Sequence, residues 1–249
     1  MKLPILAALA AFAFGVSFLP ARAAQPTPVI VELFTSEGCS SCPPADALLS
    51  RYAKSSPVGG VEVIALGEHV DYWNHGGWAD PFSSASYTSR QYGYASAFHL
   101  NSVYTPQIIV DGKAQFVGSD GAAARAAIAR AAQLPKASIS VSETAPGRFF
   151  VSVSHLPASA ASDPAEVFLA VTEDNLASSV SGGENSGRHL AHSAVVRTLT
   201  SIGTITGATF TASSTITLKP DWQRGHLHAI VFAQERRSRR IVGASEIRL

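Results

Sequence analysis

The spacing of hydrophobic and polar positions changes character near the middle of this chain. In the first half, short apolar runs alternate with stretches of helical period. Residues 29–34 form a nearly continuous apolar run of strand length, broken by Glu32. Ala45, Leu48, Leu49 and Tyr52 then recur at i, i+3, i+4 and i+7, which predicts an amphipathic helix. A loop over 55–60 leads to a second buried strand at 61–66. Asp80-Pro81 has the form of a helix start, with Asp as cap and Pro in the first turn, and a mostly helical insert is expected from there to about His99. Residues 107–110 read as a strand entered through Thr105-Pro106 and left through an Asp111-Gly112 hairpin turn, with 115–117 as partner. Asp120 caps a last helix that Leu134-Pro135 ends.

From Ala137 the period becomes two. Residues 209–218 alternate strictly, with Phe210, Ala212, Ser214, Ile216 and Leu218 set against Thr209, Thr211, Ser213, Thr215 and Thr217. Similar runs cover 138–143, 148–156, 166–173, 190–199, 225–234 and 241–249, separated by turn residues such as Ala145-Pro146-Gly147 and Lys219-Pro220-Asp221. Several short strands at close spacing predict an immunoglobulin-like β-sandwich. The basic run 236–240 would tip its final hairpin as a solvated turn. The expected organisation is an α/β domain over 24–135, with a helical insert at about 71–101, followed by an all-β domain over 136–249.

The start of the chain bears on compartment. Lys2 precedes residues 3–19, which are apolar apart from Pro4, Gly15 and Ser17, and Pro20-Ala21-Arg22-Ala23 offers the small residues a signal peptidase reads. Residues 1–23 are therefore expected to be removed, leaving a periplasmic or secreted protein. No Cys follows the apolar run to carry a lipid. The 19 basic and 18 acidic residues give a net charge of +1, and losing Lys2 and Arg22 makes the balance slightly acidic. Neither nucleic acid nor, after cleavage, a membrane is indicated as a partner.

The chain has two cysteines, Cys39-Ser40-Ser41-Cys42, at the predicted strand-to-helix turn. A sulfur at a helix N-terminus is favoured as thiolate, and a second one turn on can resolve a mixed disulfide. In an oxidising compartment the two are expected to pair. Two other readings stay open: a static structural bridge, and a zinc site drawing on His69, His75 or His99, which has too few soft ligands to be assigned. No metal and no bound organic cofactor is expected.

The order strand, Cys-x-x-Cys helix, strand, helical insert, Thr-Pro, hairpin, helix resembles the thioredoxin fold over residues 29–134. The resemblance implies a cis Pro106 beside the sulfurs, with Thr105 presenting backbone to a substrate strand. It implies Cys39 as attacking and Cys42 as resolving sulfur, and Glu32 as a buried acid that moves the resolving thiol's proton, an edge carboxylate facing water being the equal alternative for Glu32. His69 and Asp71, at the end of the second strand, would lie near Cys39, with Asp71 orienting His69. Tyr72, Trp73 and Trp78 could wall a substrate groove or simply pack the helical insert onto the sheet, packing being the favoured reading for Trp78. The chain departs from thioredoxins in having Gly38 before the first Cys and Ser40-Ser41 between the two.

The whole chain also resembles a family of secreted bacterial proteins, domain-of-unknown-function family 1223. The segments that carry this are 32–46 around the cysteines, His69-Val70-Asp71-Tyr72-Trp73, 77–82, and Glu184-Asn185-Ser186-Gly187-Arg188 with His192 and Arg197. The last group could contact the cysteine crevice or pair locally. Together these features predict a thioredoxin-like domain followed by an immunoglobulin-like sandwich. The expected activity is that of an exported thiol–disulfide oxidoreductase acting on protein or small thiol substrates with a partner dithiol protein. The alternative is a non-catalytic binding or assembly module with an inert disulfide.

Overall fold

The computed structural model describes residues 25–158 and 162–249; the signal-peptide expectation for residues 1–23 lies outside the described residues. Strand β1 (Thr27–Thr35) sends Val29, Val31 and Leu33 to one face and Ile30, Glu32 and Phe34 to the other. The first face is covered by α1 (Pro43–Lys54) through Ala45, Leu48, Leu49 and Tyr52. Pro43 and Pro44 suit the first turn of α1, where no N–H donor is needed, and Arg51 and Lys54 in the last turn complement its dipole. Helix α3 (Gly121–Ala131) covers the same face and is capped by Asp120, whose side chain accepts from the Ala123 N–H. Strand β2 (Val61–His69) runs parallel to β1, and β3 (Gln107–Val110) with β4 (Ala114–Val117) forms the hairpin beyond it.

Helix α2 (Ala85–Ala97) lies on the opposite face. It begins at a Ser84 cap, four residues after the expected Asp80 start. Asp80 is buried and its carboxylate is used elsewhere, as described below.

The second half supplies β5 (Ser138–Ala145), β6 (Arg148–Ser154), β7 (Ala165–Glu173), β8 (Leu176–Ser179), β9 (His189–His192), β10 (Val195–Thr204), β11 (Phe210–Thr215), β12 (Leu227–Glu235) and β13 (Ile241–Arg248). The expected strand at 190–199 is two strands, because Ala194 adopts φ 55° and turns the chain between β9 and β10.

The expected fold class, a thioredoxin-like domain followed by an immunoglobulin-like sandwich, is overturned by the sheet topology. One mixed eight-stranded sheet, ordered β13-β12-β7-β10-β2-β1-β3-β4, runs through both halves. The join is a parallel bridge between β10 and β2 at Val195 and Gly67, where the Gly67 N–H donates to Ala194 O at 2.7 Å. A Cβ at Gly67 would lie 3.3 Å from that oxygen, so the missing side chain permits the approach. The three-stranded sheet β11-β6-β5 packs against part of this large sheet, with Phe149, Val151 and Val153 meeting Val167, Leu169, Val231 and Ala233. A small ladder, β8-β9, stands apart.

One buried side chain ties the halves together. Arg90 on α2 donates to Glu32 Oε1 on β1 at 2.6 Å, to Gln234 Oε1 on β12 at 3.0 Å and to the Tyr94 hydroxyl at 3.1 Å. Its guanidinium lies 5.4 and 5.3 Å from the ring centroids of Phe168 on β7 and Phe232 on β12. Tyr94 donates to the second oxygen of Glu32. Glu68 on β2 is 3.3 Å from Arg90 Nε without hydrogen-bond geometry. One cation faces two carboxyls in a buried space. Burial, opposed by Arg90 and reinforced by Glu32, holds the Glu68 carboxyl well above the usual carboxylate range.

Two outcomes follow for stability. Arg90→Leu strands the buried Glu32 without its cation and is expected to cost about 3–5 kcal/mol in urea unfolding. His228 on β12 lies 3.3 Å from Asp174 and 2.5 Å from Glu246, and its hydrogen bonds to Asp174 and then Glu246 outweigh burial and raise its imidazole to about 9. A raised folded-state value stabilises below the ordinary value of about 6.5 and loses that contribution as pH climbs through about 9. Melting temperatures of wild type and His228→Gln should therefore differ near pH 6 and converge at about pH 10.

Candidate active site

Cys39 and Cys42 form a disulfide with Cα atoms 5.4 Å apart. Cys42 is the N-cap residue of α1, with helical φ and ψ, so the pair sits where the helix dipole favours negative sulfur. Both cysteines are buried, at 1% and 0% exposure, while Ser40 and Ser41 between them face solvent. The Ser41 hydroxyl lies 3.4 Å from Cys39 Sγ.

Thr105–Pro106 is a cis peptide, and Gly118 lies between Pro106 and Ala45 of α1. A Cβ built on Gly118 would meet Pro106 Cβ at 2.9 Å and Ala45 Cβ at 3.1 Å. The Thr105 hydroxyl accepts from Trp73 Nε1 at 2.8 Å. The Trp73 side chain in turn lies against Gly38, where an added Cβ would meet Trp73 Cβ at 3.0 Å. Thr105, Trp73 and the cysteine turn are thus contiguous. Beside them opens a cleft of about 640 Å³ lined by Gly38, Tyr72, Trp73, Trp78 and Glu184, with His75 on the rim.

Beneath the cysteine turn lies a buried cluster of acids and imidazoles drawn from five segments. Glu37 accepts from Trp78 Nε1 at 2.8 Å, and its other oxygen is 3.0 Å from His192 Nε2 on β9. Its backbone N–H donates to Asp80 Oδ2 at 2.8 Å. Asp80 also meets His69 Nδ1 at 2.7 Å. Asp46, in the first turn of α1, accepts from Thr35 at 2.8 Å and stands 4.0 Å from His192 Nδ1, which has no hydrogen-bond partner among the described residues. The His69 and His192 rings meet edge to face at 4.8 Å, and Phe82 packs against both.

These contacts set the protonation pattern. Burial lowers the His69 imidazole, but Asp80, then Asp46 and Glu37, more than reverse this and leave it above its ordinary value. Burial pushes the Asp46 carboxyl up against the pull of His192, His69 and the Thr35 hydroxyl. Burial likewise opposes ionisation of Asp80, yet His69 and the backbone donors Glu37 and Phe82 hold it below the usual carboxylate range. A second cleft, about 270 Å³, reaches Asp46 and His192 past Pro43, Ala47 and Arg188.

The residues expected from sequence divide between this site and other parts of the molecule. Cys39, Cys42, Thr105, Pro106, Trp73 and His69 are brought to one end of the sheet. Glu32 lies on the opposite face of β1 from α1, held by Arg90 and Tyr94. Asp71 accepts from the Thr88 hydroxyl on α2, and Asp80 takes the place beside His69 that Asp71 was expected to fill. Sequence reasoning did not assign Glu37, Asp46, Asp80, His192 or Asn185 to the site. The available signal was that all five fall inside the polar segments quoted for the family resemblance.

The loop that sequence left undecided contacts the cysteine turn. Asn185 is fully buried and donates to Glu37 O at 2.8 Å and Cys39 O at 3.0 Å. Glu184 accepts from the Ser40 N–H at 2.9 Å. Arg197, by contrast, pairs locally with Glu173 at 3.5 Å.

Comparison with known proteins places the chain in a family. Residues 30–234 match the family described as "Protein of unknown function (DUF1223)", and the chain belongs to it. The crystal structure of protein AGR_C_4864 from Agrobacterium tumefaciens is 27% identical, covers 90% of this chain and 96% of its own, and gives a TM-score of 0.70. HBP35 of Porphyromonas gingivalis is 12% identical, covers 92% of this chain and 77% of its own, and gives a TM-score of 0.64, a likeness of fold alone. Both align across the two halves together. No curated protein matches the chain.

His192→Ala removes the ring facing Glu37 Oε1 and leaves a buried carboxylate oxygen short of a partner. The expected cost is about 1–3 kcal/mol in urea unfolding, with part recovered in His192→Gln, which keeps a donor.

Proposed function

We propose that this member of the DUF1223 family exchanges disulfides with thiol substrates through Cys39 and Cys42. The observation that carries the reading is the setting of the chain's one cysteine pair. It lies at the start of a helix, its turn meets Trp73 at Gly38, Trp73 donates to Thr105 next to the cis Pro106, and an aromatic cleft opens at Gly38. The residue 1–23 pattern supports an oxidising compartment in which such a pair is used.

In the oxidising direction a substrate thiolate attacks Cys39 Sγ. The new sulfur–sulfur bond forms as the Cys39–Cys42 bond breaks, and Cys42 leaves as a thiolate that takes up a proton. A second substrate thiolate then attacks the substrate sulfur of the mixed disulfide and releases Cys39. The substrate dithiol loses two electrons and the cysteine pair gains them. A partner dithiol protein, in its disulfide form, accepts them by the same exchange. The reverse sequence reduces a substrate disulfide. Thr105 and Trp73 would position substrate, and His69 would act through Asp80 and the buried cluster on the charge felt by the sulfurs.

The burial of both sulfurs favours a second reading, a binding or assembly module with an inert bridge. Serine variants separate the two. Under exchange, Cys42→Ser accumulates mixed disulfides with exported proteins on non-reducing gels, and Cys39→Ser does not. Under the second reading neither variant traps a partner, and reduced Cys39 alkylates at the rate of an ordinary thiol.

A further inference from the structure

A polar hairpin tip is bonded to the backbone of the cysteine turn. Residues 180–188 join β8 to β9, and the tip is closed at its base by Val180 N–H to Arg188 O at 2.9 Å and Gly187 N–H to Val180 O at 2.8 Å. Beyond that base, Asn185 is the buried side chain in a stretch that is otherwise exposed or half-buried. Its carboxamide is oriented by Arg188, whose Nη1 donates to Asn185 Oδ1 at 2.7 Å. That bond leaves Nδ2 facing the carbonyls of Glu37 and Cys39. Glu184, on the outside, holds the Ser40 N–H. Two glycines with positive φ, Gly183 at 70° and Gly187 at 80°, flank this anchor. The shoulder of the tip rests on bare backbone: a Cβ on Gly182 would lie 2.2 Å from Gly77 O.

We propose that the 180–188 tip is a latch, with Asn185 as its bolt, that closes the aromatic cleft off from the disulfide and admits a thiol when it lifts. This rests on the exchange reading above. Gly38, Gly183 and Glu184 all line the cleft, so the tip and the cysteine turn meet in its wall, next to the buried Cys39. The attachment is a few hydrogen bonds to the cysteine turn with little apolar burial, and such segments open locally at far lower cost than the core. The flanking glycines can absorb the backbone change. Closing returns the Asn185 amide to two carbonyls and the Glu184 carboxylate to Ser40, so the shielded state is the resting one.

The test is the rate at which dithiothreitol reduces Cys39–Cys42, read by trapping the freed thiols. The reagent's two thiols close to a cyclic disulfide as the cysteine pair takes up two electrons and two protons. Asn185→Ala removes both bonds to the turn and is expected to speed reduction roughly tenfold to a hundredfold, with no change once the chain is unfolded in urea. An unaltered rate in the folded variant overturns the latch. Should Asn185→Ala fail to fold, hydrogen exchange of wild type and of Glu184→Gln decides, since Glu184 is exposed. The Ser40 N–H is expected to exchange through an opening more frequent than that of the β1 amides, and several-fold faster in Glu184→Gln. Exchange of Ser40 only with the β1 amides, in both proteins, overturns the latch. Neither measurement uses a physiological partner. A failed Cys42→Ser trap with accelerated reduction in Asn185→Ala would leave a latch over a bridge without clients, whereas a successful trap with unaltered reduction would leave an exchanger that opens by another route.

Discussion

The site depends on the seam between β2 and β10. Without a partner there, β2 would end the first sheet as an edge, and unpaired edges invite foreign strands. Val195 and Ala194 close that edge at Gly67, two residues before His69. Because β9 immediately precedes β10, the same closure delivers His192 beneath the cysteine turn and the hairpin tip above it. The disulfide belongs to the first half of the chain, but His192 in the buried cluster and the hairpin tip on the cysteine turn come from the second.

The seam is supported by charge on both faces of the sheet. On the α2 face, Arg90 holds Glu32 while its guanidinium lies near the Phe168 and Phe232 rings of the second half. On the α1 face, His69 and His192 stand among Asp46, Glu37 and Asp80. Buried charge of this kind is weak evidence for net stability, because desolvation consumes much of the attraction. Its consequence is positional. Removing a single partner leaves a charge in a dry interior, so alternative placements of the two halves are penalised. Glu32 illustrates the point. It sits three residues from Thr35, which supports Asp46, yet strand alternation sends Glu32 to the opposite face and into a structural ion pair.

Much of the secondary structure was legible because it is local. The apolar run of β1, the period of α1, the Asp111-Gly112 hairpin and the alternating strands after Ala137 each declare themselves within a few residues. The cysteine pair and Thr105-Pro106 were legible as chemistry. The sheet was not, because a parallel bridge between β2 and β10 is made by backbone groups distant in sequence and leaves no periodic trace. Two runs were misread for stated reasons. Asp80-Pro81 carries the residues of a helix start, but its carboxylate is drawn to His69 and the Glu37 amide, and the helix waits for Ser84. The strand at 190–199 breaks at Ala194, whose positive φ is rare for a residue with a Cβ.

The nature of the cover bears on what the disulfide can do. A bridge kept only for stability closes a very short loop here and constrains the unfolded chain little. Such a bridge is best sealed by apolar side chains, which exclude solvent with no polar group to satisfy. The turn that carries Cys39 is held instead by a carboxamide whose hydrogen-bonding capacity is met by two carbonyls and an arginine, and by a carboxylate that stays in water. When that tip lifts, each polar group regains hydrogen bonds from solvent, and little apolar surface is exposed. The net loss is small for the same reason that hydrogen bonds contribute modestly to folding overall. A polar cover is therefore one that can be displaced without disturbing the sheet beneath it, which is the property a shielded but usable sulfur pair requires.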